Sequence, residues 1–155
     1  MRKNTSRTVK FITFRVADYW FALPIKAIQK IINCPSQSEG GVVQLGMVQL
    51  GSHTVQLLDL YSAFGLGDHA KLPEQTPFLI VLRGLQNKFW GIVLESPPDL
   101  VEIPLDKFQA ISADQRFVPK RQWISHIAIL SEQKISRTLL FLDLNAIFQH
   151  VVLAA

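Results

Sequence analysis

Few side chains in this 155-residue chain are of types that do chemistry, and their spacing suits little of it. His53, His69, His126 and His150 stand far apart, with no acidic or cysteine neighbour at metal-ligand spacing. Cys34 lies in a Pro-Ser stretch without a nearby base, and no serine occupies a glycine-flanked elbow. Phosphate-cradling patterns of the GxxxxGK or GxGxxG type are absent. Glu95, Asp99, Glu102 and Asp106 cluster beside Pro97-Pro98, where a run of carboxylates reads as a solvated edge rather than an acid–base pair. The remaining candidate is Asp59, set between two leucines at the end of "GMVQLGSHTVQLLDL", residues 46–60. This inventory predicts a protein that is not an enzyme and uses neither metal nor cofactor.

Asp59 has a counterpart. "LLDLYSAF" at 57–64 resembles "FLDLNAIF" at 141–148, matching Leu58, Asp59, Leu60 and Phe64 to Leu142, Asp143, Leu144 and Phe148. A weaker echo pairs "WFAL", 20–23, with "FWGI", 89–92. A catalytic carboxylate would not need a twin in the same apolar frame. An aspartate where a strand meets a helix has a plainer task, accepting from backbone N–H groups of the following turn. Asp59 and Asp143 are therefore expected to be structural, one in each of two similar β-subdomains.

The elements that must position these residues are mostly strands. "VKFITFRVADYWFAL" reads as a hairpin turning at Ala17-Asp18. "PIKAIQKII" fits either a helix opened by Pro24 or a short turn followed by a strand over 28–33. Residues 34–41 form a loop by composition, and Gly51-Ser52 separates two β-rich runs as a hairpin turn would. "LYSAFGLG" is expected to make a short helical turn, and "DHAKLPEQT" a surface linker. "PFLIVLRGLQNKFWGIVLE" is a second strand pair turning between Gly84 and Lys88. Pro97-Pro98 excludes a helix interior, "SADQRFVPKRQ" is a polar loop, and "WISHIAIL" and "TLLFLDL" precede a short terminal helix. Short apolar runs between turns predict a mainly β fold of sandwich or barrel type.

Charge narrows the partners. The net charge of +4 lies wholly in residues 1–10, because residues 11–155 carry 12 basic and 12 acidic side chains. Residues 1–8 read as a flexible basic leader before a single domain over 9–152. Basic residues interleave with aromatics only faintly, so nucleic acid is not the expected partner. The longest uncharged run, 40–58, holds too many glutamines and hydroxyls for a bilayer, which argues against membrane insertion. One cysteine and no signal-peptide pattern fit a cytoplasmic location. Three tryptophans and ten phenylalanines without a catalytic set point to a protein-binding module.

In order and spacing, "FRVADYWFALPIKAIQKI", "GMVQLGSHTVQLLDLYSAFGL", "PFLIVLRGLQNKFWGIVLESPPDLVEI" and "WISHIAILSEQKISRTLLFLDLNAIF" resemble the CheW family of chemosensory coupling proteins. The resemblance implies two intertwined five-stranded β-barrels and a turn-then-strand reading of 24–33. It implies a non-enzymatic adaptor between the regulatory domain of a CheA-type histidine kinase and the cytoplasmic tip of methyl-accepting receptors, with other CheW-like proteins as further partners. The family pattern near the Gly51 hairpin is roughly Gly-Val-Ile-Asn-Leu-Arg-Gly-x-x-x-Pro-Val-x-Asp-Leu. Gly46, Leu50, Asp59 and Leu60 match it. Gln49, Gly51, Ser52 and Gln56 replace Asn, Arg, Gly and Pro, so a partner-contacting arginine is missing. Ile28 and Gln29 fit a partner-facing segment, and Lys30 stands where an acid is usual. Trp90, just before the matching Gly91, stands where a smaller apolar residue is usual at the kinase-facing edge, and is expected to contact a partner. His126 replaces a common glycine. These exchanges imply a rewired interface, as in an array dedicated to pilus motility or phototaxis. The alternative is a β-barrel module for a peptide or single-stranded nucleic acid.

Overall fold

β-Branched and aromatic residues dominate the apolar runs, and strands form along them. The structure is a computed structural model that describes residues 7–33, 47–64, 78–111, 121–132 and 134–154. β1 (Thr8–Val16) and β2 (Tyr19–Pro24) form the first hairpin, with Val16 opposite Tyr19 across the turn Ala17-Asp18. A single 3₁₀ turn, Ile25–Ala27, leads into β3 (Ile28–Asn33), so the strand alternative holds for this segment. β4 (Met47–Leu50) and β5 (His53–Leu57) flank Gly51-Ser52, and α1 (Leu60–Ala63) follows. β6 (Phe78–Arg83) and β7 (Phe89–Leu94) make the next hairpin, then β8 (Asp99–Pro104), a 3₁₀ turn at Leu105–Lys107, and β9 (Phe108–Ala110). β10 (Ile124–Glu132), β11 (Ile135–Leu142) and α2 (Leu144–Ala154) end the chain. The expected loops at 34–41 and in "SADQRFVPKRQ", the linker "DHAKLPEQT" and the glycine stop of α1 lie largely or wholly outside the described residues.

The strands form two sheets, each in its own compact unit. Met1–Ile25 and Pro98–Ala155 make one unit, and Lys26–Pro97 the other. The first unit holds the order β8-β1-β2-β11-β10-β9, and the second β3-β6-β7-β5-β4. Apart from the three-residue β9, the two orders are the same arrangement built twice. In each, an antiparallel hairpin (β1–β2 or β6–β7) accepts one antiparallel strand on its first member. Its second member lies parallel to a strand from another hairpin (β11 or β5).

The units exchange strands through the covalent chain. β3 follows β2 in sequence but pairs with β6, while β8 follows β7 but pairs with β1. The resemblance of 20–23 to 89–92 has a structural meaning here. Trp20, Phe21 and Ala22 pair with β11, as Phe89, Trp90 and Gly91 pair respectively with Val55, Gln56 and Leu57 of β5.

Each unit has its own apolar cluster. Phe11, Ala22, Ile103, Ala128, Leu139 and Phe141 form the first, with Phe11, Phe108 and Phe141 in mutual ring contact. Val48, Val55, Leu79 and Val81 form the second, with Ile32, Leu50, Leu57 and Phe89 against it. Gly91 fits this second cluster because it lacks a side chain. A Cβ there would lie 2.8 Å from Leu79 Cδ1 and 2.8 Å from Val55 Cγ1, closer than packed carbons approach.

The Asp143 joint is seen directly. Its Oδ1 accepts from the Ala146 N–H at 3.1 Å and its carbonyl from the Ile147 N–H at 3.0 Å, which makes it the N-cap of α2. Asp59 occupies the matching place, with its carbonyl accepting from Ala63 N–H at 3.0 Å. At the other terminus the ordered sheet reaches further back than the leader boundary at residue 8. Thr8 already pairs with Pro104, and the Arg7 carbonyl accepts from Leu105 N–H at 2.9 Å.

Candidate functional site

The Gly51-Ser52 turn is tight, and its residues explain why. Leu50 and His53 are opposite each other, so only two residues close the loop. Gly51 has φ +58°, and Ser52 does not share the left-handed region. Glycine first, with positive φ there alone, is the type II′ pattern that suits the twist of a hairpin. Gln49 braces it, its amide donating to the Gly51 carbonyl at 2.9 Å while its Oε1 accepts from the Thr54 hydroxyl at 2.8 Å. Both turn residues are exposed.

Strand direction brings other residues to the same end of the sheet. β5 and β7 run parallel, so the first residue of each, His53 and Phe89, stands at the end where the β4–β5 turn lies. The imidazole meets the Phe89 ring edge-on, with centroids 5.0 Å apart. Arg83 is opposite Phe89 across the β6–β7 hairpin, its guanidinium carbon 5.7 Å from the ring centroid. The connection is held by Gly84 N–H donating to the Lys88 carbonyl at 2.7 Å. β3 starts at this end too. Its ladder slips between Ile28 and Lys30, leaving Gln29 as the extra residue of a bulge. After the slip, Lys30 is opposite Val81, on the face that carries the Val55–Val81 cluster.

The result is a small mouth at one end of the five-stranded sheet. A cavity of about 130 Å³ has a floor of Leu50, Val55, Val81 and Phe89 and a rim of Gln29, Lys30 and His53. An open hollow of about 680 Å³ adjoins it, lined by Ser52, His53, Thr54, Arg83, Lys88 and Phe89 among others. Of the residues read from the sequence as partner-facing, Gln29 and Lys30 line the cavity and Ser52 lines the adjoining hollow, with Gly51 shaping the turn. Ile28 is half-buried at the start of the same strand. Gly46 lies outside the described residues.

Trp90 requires a correction. It is only 5% exposed, so its ring is an interior group and not a contact surface. Successive strand residues face opposite ways, and it is the preceding Phe89 that lines the mouth. Sequence reasoning did not single out Phe89, His53 or Arg83 as site residues. The signal available was their place at hairpin ends, and it became specific only once the β5–β7 pairing was known. Among the described residues, no group of three or more His, Cys, Asp or Glu side chains could hold a metal ion. No helix among them is long and apolar enough to cross a membrane. Apolar floor, polar rim and small volume suit the docking of one side chain from another protein.

The comparisons agree with this picture at the level of family and fold. The family model described as CheW-like domain matches residues 10–152. Fifteen solved chains match in structure. One is the crystal structure of the scaffolding protein TtCheW from Thermoanaerobacter tengcongensis, at 14% identity and a TM-score of 0.68, covering 93% of this chain and 90% of that one. Among curated proteins, none matches the sequence significantly.

Proposed function

The chain belongs to the CheW-like domain family, and on that premise we propose that it is a non-enzymatic adaptor of a bacterial chemosensory array. It links the regulatory domain of a CheA-type histidine kinase to the cytoplasmic tip of methyl-accepting receptors, and works in the cytoplasm. The family match over 10–152 carries this reading. It is supported by Gln29 and Lys30 on the rim of the apolar cavity and Ser52 in the hollow beside it, since these positions fall in the segments that the family resemblance links to partners. Gly51 in place of arginine and Lys30 in place of an acid favour a dedicated set of partners over the standard one, because rim charges decide which partner is accepted. A pilus-motility or phototaxis array is such a setting.

The test is a pull-down of the purified protein with the kinase regulatory domain and the receptor tip encoded in its own genome. Retention of both is expected. Retention of neither refutes the adaptor reading.

A further inference from the structure

The charges of the second unit are sorted along its strands. Lys26 and Lys30 lie at the start of the β3 segment, and Arg83 and Lys88 flank the β6–β7 turn, all at the end that carries the mouth. The described acids of this unit, Asp59 and Glu95, follow the last residues of β5 and β7, at the opposite end. Within the described residues no ion pair engages Lys26, Lys30, Arg83 or Lys88, and all four are exposed. Lys30 lines the apolar cavity and Arg83 and Lys88 line the hollow beside it, and these like charges leave a site that favours an anion.

We infer that the mouth receives an acidic segment of a partner protein, which inserts one aliphatic side chain between Leu50, Val55, Val81 and Phe89 while its carboxylates meet Lys30, Arg83 and Lys88. The cavity of about 130 Å³ is sized for a side chain and not for a base stacked on a ring. Phe89 is also a poor stacking platform, because its ring already meets the His53 edge and the Arg83 guanidinium. Protein is therefore favoured over nucleic acid. The inference rests on the adaptor reading and adds the chemistry of the partner's contact segment.

The full-length protein can be titrated with three labelled synthetic peptides: one leucine flanked by glutamates, the same peptide with lysines for the glutamates, and the same with serine for the leucine. A single-stranded oligothymidylate is the fourth probe. The acidic leucine peptide is expected to bind and to shift the amide resonances of Lys30, His53 and Phe89. Lys30→Glu and Lys88→Glu should each weaken it about tenfold, a scale common for charges at a contact rim. Lys107→Glu, on an exposed turn of the other unit, should leave it unchanged. Equal binding of the lysine or serine peptide, shifts elsewhere, no peptide binding, or tighter binding of the oligonucleotide at the mouth would each overturn the inference. The pull-down reads the identity of the partners and the peptides read the chemistry of the mouth, so either can fail alone.

Discussion

At the scale of single residues, the two aspartates show how an apolar frame can disguise a structural group as a chemical one. A carboxylate between leucines stands out in a sequence, yet the Asp143 oxygen is used on the Ala146 N–H that opens α2. Without that acceptor, the first turn of the helix loses a partner for one of its unpaired donors. Asp143→Ala should therefore lower stability by about 1 kcal/mol, with Asp59→Ala in the same range. Urea unfolding of each variant checks this, and an unchanged midpoint for Asp143→Ala would mean that water replaces the cap at no cost. Binding to kinase and receptor should survive both changes. Trp90 and Phe89 carry the opposite lesson. Two adjacent aromatics look alike in a sequence, and only strand alternation together with knowledge of which face opens at the mouth assigns one to the interior and one to the site.

At the scale of elements, two hairpins solve the same turn with different residues. Gly51-Ser52 places glycine at the left-handed position, with no atom within 4 Å of where a Cβ would stand. Ala17-Asp18 places alanine at φ 55°, where an L-residue pays roughly 1–2 kcal/mol in steric strain. Ala17→Gly relieves that strain but frees the unfolded chain, which takes back about 0.4–1 kcal/mol. A net gain of about 0.8 kcal/mol is expected from the difference between the midpoints of these terms. It would appear as a higher urea midpoint at unchanged slope. Both turns were legible in the sequence, because they separate runs of β-formers by two residues. The strand at 28–33 was legible only as one of two options, since "PIKAIQKII" satisfies helix and strand spacing alike and a 3₁₀ turn absorbs its first residues. Which strands would pair was not legible. β2 joins β11 across more than one hundred residues, and alternation states which face a residue takes but not which strand lies beside it. The short echo of Leu-Asp-Leu was a true trace of the repeated sheet order. Its partner echo worked because Ala22 and Gly91 occupy equivalent pairings, although only Gly91 is so closely packed that a Cβ would collide.

At the scale of the molecule, net charge conceals where charge acts. The excess of +4 belongs to the first ten residues, and the rest of the chain is neutral. On composition alone, any salt-sensitive binding would be assigned to the leader. The structure offers a second source, Lys30 at the apolar cavity and Arg83 and Lys88 at the hollow beside it. These side chains are exposed, so their attraction to an acidic partner is screened by salt over about a Debye length. Partner binding should thus weaken moderately with salt, far less than the steep decline of a phosphate-binding surface. Two variants separate the sources. Deleting residues 1–6 removes Arg2 and Lys3 and leaves the sheet, which begins at Thr8, intact. It should leave the salt slope of binding to the kinase domain or receptor tip unchanged, whichever of them docks at the mouth. Lys30→Glu should flatten that slope. The measurement is the dissociation constant from low to high sodium chloride for all three proteins. A slope lost with the leader and kept in Lys30→Glu would place the electrostatic contact on the arm and leave the mouth to apolar packing alone.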